Sequence, residues 1–188
     1  ASLAAGGNSP GGANRGEVEE YNGSTWAEQS DLPTGNQTNT GIGIQTAALS
    51  VSGGNDTDIT LEYDGSSWTS GGDLGSARVR GFGAGTQTAG MYSGGALGTS
   101  PYAVQTAVEQ YDGSSWTALP ASLNAGQSGY TSGNVGTSSR DTAIVAGGQA
   151  GSPASVTGVT QIYDGSTWRT APAMATAREI SLTGDNTA

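Results

Sequence analysis

The side chains in this chain that could do chemistry are carboxylates, arginines and tyrosines. There are 16 Asp and Glu residues and six basic residues, all of them Arg, and there is no His and no Cys. Without His, Cys or Lys, most general bases, covalent nucleophiles and Schiff-base reactions are excluded. Carboxylate chemistry of the glycosidase type stays open, but no carboxylate pair stands apart from the repeats described below. The sequence predicts that the protein is not an enzyme.

Asp56 and Asp58 form the candidate metal site. They follow the Gly53-Gly54 doublet, and two carboxylates at this spacing can ligate Ca²⁺. The loop lacks the remaining ligands of an EF-hand, and a polar turn is the simpler explanation of the same residues. Ca²⁺ is the cofactor that the sequence leaves open.

The charge balance excludes several classes of partner. The net charge is −10, whereas phosphate recognition depends on a cationic surface. The same charge disfavours anionic membranes, and no run of about 18 apolar residues is present. We therefore expect neither nucleic-acid binding nor membrane insertion. Negative charge also keeps a surface rich in Gly and Thr in solution.

One six-residue motif occurs four times and contains every Trp of the chain. Its copies are Tyr21–Trp26, Tyr63–Trp68, Tyr111–Trp116 and Tyr163–Trp168. The central Asn-Gly or Asp-Gly favours a hairpin turn with positive φ. A two-residue loop puts Tyr and Trp two positions apart, and a four-residue loop puts them directly opposite each other. Both loops place the two rings on one face of the hairpin. This predicts that the rings pack between neighbouring repeats, with sugar stacking as the alternative.

Other features recur with the motif. Glycine doublets stand at 6–7, 53–54, 94–95 and 147–148. Leu or Met follows each Trp, and a polar residue stands four positions later: Leu32 and Asn36, Leu74 and Arg78, Leu123 and Gln127, Met174 and Arg178. These marks divide one domain, residues 1–188, into repeats of about 6–52, 53–93, 94–146 and 147–188 plus 1–5.

Each repeat is expected to hold four short strands. In the second repeat, 79–84 is assigned to the inner strand, 88–93 to the second, 60–63 to the third and 67–70 to the outer strand. The last two residues joined to residues 1–7 resemble the unit 46–54. This predicts a ring closed by the N-terminal strand, which completes the C-terminal blade; a trimmed longer array is the alternative.

A glycine-rich run occupies residues 81–85. It is not a phosphate-binding loop, because no Lys follows it. We interpret it as a site of close strand packing.

The doublet, the Tyr, the Trp and the following Leu or Met with Arg resemble the kelch repeat across the whole chain. The Tyr-to-Trp spacing is shorter than the usual kelch pattern, and Arg is kept only at Arg78 and Arg178. The resemblance implies an all-β, four-bladed β-propeller with four-stranded antiparallel blades, used as an interaction scaffold. The copper-radical chemistry of galactose oxidase, a relative of kelch proteins, needs His and Cys and is excluded.

The variant motif resembles kelch-like repeats of bacterial and marine phage proteins. That resemblance implies an extracellular or virion-surface location and an adhesin or tail-fibre role, with a surface glycan or protein as partner. The first alternative is a purely structural virion or fibre subunit that assembles with itself or with other virion proteins. The second is a carbohydrate-active enzyme of the glycosidase or sialidase kind, in which Arg78, Arg80 and Arg178 would supply an arginine cluster.

Ligand-binding residues are expected where the repeats differ, because repeated positions build the scaffold. The loops after the doublets vary most, and they carry Arg15 and Tyr102. Tyr130 lies in a second irregular stretch, and Arg80 adds a cation. These four residues are the predicted ligand-binding set, with ordinary loop variation as the alternative. Tyr, Asn, Ser and Gly in such loops suit adaptable polar recognition, including recognition of glycans.

Overall fold

A computed structural model of the chain describes residues 1–54, 57–98, 102–129, 139–151, 155–179 and 181–185. Within these ranges the chain is all β, and no helix is present that could cross a bilayer. In chain order the strands are β1 (Ser2–Asn8), β2 (Asn14–Tyr21), β3 (Trp26–Glu28), β4 (Thr40–Ile44), β5 (Ala47–Val51), β6 (Thr60–Tyr63), β7 (Trp68–Ser70), β8 (Phe82–Thr86), β9 (Ala89–Ser93), β10 (Ala96–Leu97), β11 (Ala103–Val104), β12 (Val108–Tyr111), β13 (Trp116–Ala118), β14 (Gln127–Ser128), β15 (Ala143–Gly147), β16 (Gln149–Ala150), β17 (Ser155–Val156), β18 (Thr160–Tyr163), β19 (Trp168–Ala171) and β20 (Ser181–Asp185).

The strands form several small antiparallel sheets, as the all-β prediction requires. The first sheet has the order β1-β2-β3, the second β4-β5-β6-β7, the third β8-β9-β12-β13 and the fourth β20-β15-β18-β19. Of the two smaller sheets, β10-β11 is built from the segment that follows the third doublet, and β14-β16-β17 joins the segment that follows the fourth doublet to β14, which precedes it. Each larger sheet contains one copy of the Tyr–Trp motif in its last two strands.

The predicted grouping of strands into one blade is wrong. Residues 60–63 do form a strand, β6, but it pairs with β5 in the second sheet. The predicted partners 79–84 and 88–93 correspond to β8 and β9, which belong to the third sheet with β12. The cause is that each doublet joins the second and third strands of one sheet, so a repeat counted from doublet to doublet spans parts of two neighbouring sheets.

Among the described residues the strand pairing does not show the predicted closure by the N-terminal strand, and residues 187–188 of that prediction lie outside them. β1 pairs with β2, from Ser2 opposite Tyr21 to Asn8 opposite Asn14. The C-terminal strand β20 pairs with β15 instead, from Ala143 opposite Asp185 to Gly147 opposite Ser181. An extended segment beside the open edge of β15 satisfies backbone groups that would otherwise lack partners, and here β20 fills that edge.

The Tyr–Trp motif forms a hairpin with a four-residue loop. Tyr63 is directly opposite Trp68, and their ring centroids are 4.8 Å apart. The loop is closed by the Asp64 amide, which donates to the Ser67 carbonyl at 3.2 Å, and Gly65 has φ +93°. Of the two loops that the sequence allowed, the structure contains the longer one in all four copies.

The Asp that opens each loop organises it with its carboxylate. Asp64 Oδ1 accepts hydrogen bonds from the Ser66 amide at 2.9 Å and the Ser67 amide at 2.8 Å. These bonds lower the pKa of Asp64 from 3.8 to about 2, because they stabilise the charged form. Asp112 makes the same bonds, and they lower its pKa to about 2 as well. In the first repeat Asn22 takes this place, and its amide oxygen accepts from the amides of Ser24 and Thr25.

The apolar core is divided among the spaces between neighbouring sheets. One cluster joins the first and second sheets through Val18, Leu32, Ala48, Leu61, Tyr63 and Trp68. A second joins the second and third sheets through Ile42, Leu49, Val51, Leu74, Tyr92 and Tyr111. A third joins the third and fourth sheets through Phe82, Ala84, Met91, Val108, Leu123, Ala143, Val145, Tyr163 and Trp168. This division explains how a chain with 34% hydrophobic residues sustains a core.

The glycine-rich run is a place of close strand packing, as predicted. A Cβ placed on Gly83 of β8 would lie 2.7 Å from Ile42 Cγ1 and 2.8 Å from the Gly41 carbonyl oxygen of β4. A Cβ on Gly81 would lie 2.2 Å from the Tyr92 ring. Neither position has room for a methyl group, so glycine is required for the approach of these strands.

We predict that the loop carboxylates make the fold sensitive to acid. Their folded-state pKa values are lowered, so the stabilisation is complete above pH 3.8 and is lost as the pH falls toward about 2. The triple substitution Asp64→Asn, Asp112→Asn and Asp164→Asn copies the Asn22 loop. We expect a flatter dependence of Tm on pH across this window, measured by circular dichroism. An unchanged acid dependence in the triple variant would show that other groups cause it.

Candidate functional site

The candidate site lies at the end of the sheets where the doublets occur. After the first, third and fourth doublets the chain forms an arm that pairs with the segment just after one of the repeated Leu residues. These pairings join Arg15 to Asn36, Val79 to Ala96, and Gln127 to Ala150. The arms differ in length and sequence while the strands below them repeat, so this end carries the variation that recognition needs.

Arg80 and Tyr102, two of the predicted ligand-binding residues, are in contact. The Arg80 Cζ atom lies 4.0 Å from the centroid of the Tyr102 ring, and Arg80 Nη2 donates to the Tyr102 hydroxyl at 2.9 Å. Both residues are half-buried. A guanidinium over an aromatic face is attracted to the ring quadrupole, and this contact fixes the orientation of both side chains. The β10-β11 hairpin carries Tyr102 to this position, directly before β11.

The backbone at Arg80 is strained. Its φ is +60°, in the left-handed region that side chains other than Gly, Asn and Asp rarely adopt. The Gly129 amide donates to the Arg80 carbonyl at 2.7 Å and holds this conformation. Thr38, at the matching place in the first repeat, has φ +59°. Strained residues of this kind cluster at functional sites.

Tyr92 supports the strained segment from below. It is fully buried, its hydroxyl accepts from the Gly81 amide at 2.9 Å and donates to the Arg78 carbonyl at 3.3 Å. The Ser52 hydroxyl is 3.0 Å away. Burial raises the pKa of the Tyr92 phenol, so it stays protonated and keeps these bonds. Sequence reasoning did not single out Tyr92, because it lies outside the repeated aromatic motif.

The other predicted site residues are not part of this contact. Arg15 is exposed and pairs with Glu17, with 2.8 Å between Nη1 and Oε1. Tyr130 and Asp56 lie outside the described residues. Asp58 is half-buried, and its carbonyl accepts from the Leu74 amide at 2.9 Å. Across the described part of the chain, no group of three or more Asp, Glu, His or Cys side chains is placed to hold a metal ion.

A buried ion pair lies beneath the same end of the third sheet. Arg78 and Glu109 are almost fully buried, and Nη1 and Oε1 are 2.6 Å apart. Arg78 Nε also donates to the Gly94 carbonyl at 3.0 Å, and Glu109 Oε2 accepts from the Gly75 amide at 2.7 Å. Arg78 is therefore a structural residue that ties the segment before β8 to β12. It is not presented to solvent as part of an arginine cluster.

The next interface replaces this ion pair with a neutral pair. Gln127 and Gln161 occupy the matching positions, and Gln161 Nε2 donates to Gln127 Oε1. Both side chains are fully buried. Gln161 also exchanges hydrogen bonds with the Ala125 backbone, at 3.1 and 2.9 Å. The fold thus accepts either a charged or a neutral buried pair at one repeated position.

Two of the four repeated tyrosines donate hydrogen bonds to carboxylates of the preceding sheet. Tyr63 donates to Glu20 at 3.1 Å, and Tyr111 donates to Glu62 at 2.5 Å. Burial, together with these carboxylates, raises the pKa of both phenols to about 12. A phenol with a raised pKa is a poor nucleophile at neutral pH. These two tyrosines are therefore poorly suited to the nucleophilic role that the sialidase alternative requires.

Comparison with known proteins gives a fold likeness without a family. No family model and no curated protein matches this chain. One solved structure that it resembles is that of YjhT, with a TM-score of 0.64 and 14% sequence identity. The match covers 83% of this chain and 52% of that one, so the chain spans about half of its length. At this identity the likeness concerns the arrangement of the strands alone.

We predict that the Arg78–Glu109 pair can be replaced only as a pair. Glu109→Gln leaves the Arg78 charge buried without compensation, and we expect it to cost about 3–5 kcal/mol of unfolding free energy. The double variant Arg78→Gln and Glu109→Gln copies the Gln127–Gln161 pair and should recover much of that loss. Urea unfolding of the wild type, both single variants and the double variant measures the coupling. Additive losses would contradict a direct interaction.

Proposed function

We propose that the four larger sheets are the blades of a four-bladed, kelch-like β-propeller. Four copies of one motif, one in each sheet, support this arrangement. Neighbouring sheets pack through equivalent residues, and the fold likeness to YjhT covers most of the chain. The kelch resemblance of the sequence points to the same architecture.

We propose further that this propeller is a non-enzymatic binding module that recognises a surface glycan or protein, outside the cell or on a virion, in the manner of an adhesin or tail fibre. The observation that carries the proposal is the Arg80–Tyr102 contact. It presents an aromatic ring and a guanidinium in fixed orientations, on a strained backbone, at the end of the sheets where the arms differ. Rigid aromatic surfaces lose little entropy on binding.

The residue types at this site suit binding better than catalysis. The tyrosine ring provides a stacking surface, and the guanidinium held against it adds a positive charge. The sequence contains no His, Lys or Cys, and two of the repeated tyrosines have raised pKa values. A carbohydrate-active enzyme is therefore the weakest of the three hypotheses.

The second candidate function is a structural subunit of a virion or fibre. The observation that favours it is the exposure of Trp26, whose side chain is 51% accessible. An exposed aromatic side chain at the face of an end sheet suits packing against another protein surface. Saturable ligand binding at the arms would favour the recognition module over this alternative.

We predict that the Arg80–Tyr102 contact is required for ligand binding. The test is a glycan array on the purified chain, with calcium and with chelator, followed by titration of any hit. Tyr102→Ala and Arg80→Gln should weaken the hit by about tenfold or more, because a central aromatic or Arg anchor contributes more than 1 kcal/mol. Arg169→Gln, which makes the same charge change on the outer strand β19, is the matched control.

The outcomes separate the candidate functions. Loss of binding in the Arg80 and Tyr102 variants, with the control unchanged, supports recognition at this site. Binding that survives both substitutions moves the site elsewhere. An array without hits, from a chain shown to be folded by circular dichroism, overturns glycan recognition and favours a protein partner or the structural role. Loss of a hit with chelator would indicate a cation contribution and direct attention to Asp58.

A further inference from the structure

Every described contact between neighbouring sheets is built from the same three apolar parts. The earlier sheet contributes the Leu that follows its Trp, and the later sheet contributes its Tyr and Trp. These sets are Leu32 with Tyr63 and Trp68, Leu74 with Tyr111 and Trp116, and Leu123 with Tyr163 and Trp168. Because the three contacts use equivalent positions, the residues needed for a further contact of this kind can be identified from their places in the repeat.

A polar pair accompanies the apolar parts in two of these contacts. The residue four positions after the Leu meets the residue two positions before the next Tyr. Arg78 meets Glu109 in this way, and Gln127 meets Gln161. In the contact between the first and second sheets these positions hold Asn36 and Leu61.

The first sheet has an equivalent face that is left uncovered. Trp26 is 51% exposed, whereas Trp68 is 9% and Trp168 is 6% exposed. Tyr21 is half-buried, and Glu19, at the place of Glu109, is exposed. The Tyr21–Trp26 pair nevertheless has the same geometry as the others, with ring centroids 5.2 Å apart. The packing surface is formed, and it is exposed to solvent in the described part of the chain.

The fourth repeat carries the matching half of such a contact. Met174 takes the place of Leu, and its amide donates to the Gly158 carbonyl at 2.8 Å, as the Leu74 amide donates to Asp58. Arg178 takes the place of Arg78 or Gln127. Its carbonyl accepts from the Gly148 amide at 2.8 Å, as the Gln127 carbonyl accepts from Gly95. Arg178 is exposed and Met174 is half-buried.

We infer that the Met174 and Arg178 face of the fourth repeat docks on the Tyr21 and Trp26 face of the first sheet of the same chain, with Arg178 forming an ion pair with Glu19. This contact closes the ring without a shared strand, through side chains alone. The inference rests on the proposed four-bladed arrangement and names the residues that hold it shut.

The distribution of charge among the repeats supports this pairing. The position four residues after the Leu or Met holds Arg in two repeats. In both, the position two residues before the Tyr of the following sheet holds Glu: Arg78 with Glu109, and Arg178 with Glu19. Where the residue after the Leu is Asn36 or Gln127, the residue before the following Tyr carries no charge. The charges thus match only when the fourth repeat is placed before the first.

The same chain is a better partner than a second copy. Two copies would each bring a net charge of −10, and like charges oppose association. Two faces in one chain meet at an effective concentration that separate molecules do not reach. The occupant of the exposed Trp26 face is therefore the fourth repeat itself.

A charge-exchange experiment tests the ion pair. Glu19→Arg and Arg178→Glu should each lower the Tm, and the double variant should regain most of the loss, because the pair is restored in reverse. The matched control exchanges Glu20 with Arg178, since Glu20 lies on the same strand β2 with its carboxylate on the opposite face, where it accepts from the Tyr63 hydroxyl. The control should show additive effects. Additive effects in the Glu19 exchange as well would overturn the inference.

A cross-linking experiment identifies the occupant. The chain has no Cys, so Glu19→Cys with Arg178→Cys introduces the only two thiols. A short bismaleimide is used because the backbones of an Arg–Glu pair stand farther apart than a disulfide spans. We expect a monomer linked internally, identified by mass spectrometry of the digest. Much less linkage is expected in the Ala27→Cys with Arg178→Cys control, because Ala27 is exposed and lies opposite Glu20, on the other face of the sheet.

Each other outcome of the cross-linking overturns the inference. Linked dimers would show that a second copy covers the face. Equal yields in both pairs would show that the two faces meet without a specific docking contact. Neither result depends on the glycan array, which uses the wild-type chain, so failure of the closing contact and failure of the recognition function are observed separately.

Discussion

The packing of a tyrosine–tryptophan hairpin against a leucine of the preceding sheet is the contact on which the rest of this structure depends. Each hairpin supplies two large rings with centroids about 5 Å apart, and together they cover one face of a sheet. Beyond these aromatic residues the chain has one Phe and two Met, and only 34% of its residues are hydrophobic. Its core is accordingly a series of thin layers, and each layer is complete only when the next sheet is present.

A polar contact at the rim of each layer orients the sheets. A side chain from the segment just before the second strand of the later sheet donates to the carbonyl of the preceding Tyr. These contacts are Gln45 to Tyr21 at 3.4 Å, Gln87 to Tyr63 at 2.6 Å, and Arg140 to Tyr111 at 2.9 Å. Apolar layers alone tolerate sliding, whereas directional hydrogen bonds at both ends fix the angle between neighbouring sheets.

The sequence predicted the parts of this fold that are local. Strand β6 was bounded correctly, and the rings of each hairpin share one face, because Asp-Gly turns and aromatic pairs act within a few residues. The grouping of strands into sheets was wrong, because the marks that are easiest to find, the doublets, lie inside a sheet and not at its boundary. The pairing of β20 with β15 was missed because short strands rich in Gly and Thr carry little register information.

The candidate site was predicted residue by residue but not as a unit. Arg80 and Tyr102 were both expected to bind ligand, yet nothing in the sequence indicated that they meet, since a hairpin of variable sequence separates them. The left-handed backbone of Arg80 could not be predicted from its residue type, because Asn or Gly is the usual residue in that conformation. The pairing of Arg78 with a buried partner became visible only after the structure showed which positions of neighbouring repeats meet.

The close approach of β4 and β8 at Gly83 limits how this scaffold can diversify. With no room for a methyl group between these strands, any side chain added at Gly83 would force the second and third sheets apart. Sequence change that creates a new specificity must then fall on the arms beyond the doublets, where insertions disturb no packed layer. The packed strands are constant and the arms are variable. Libraries built on this scaffold should therefore randomise the arms and leave the inner strands intact.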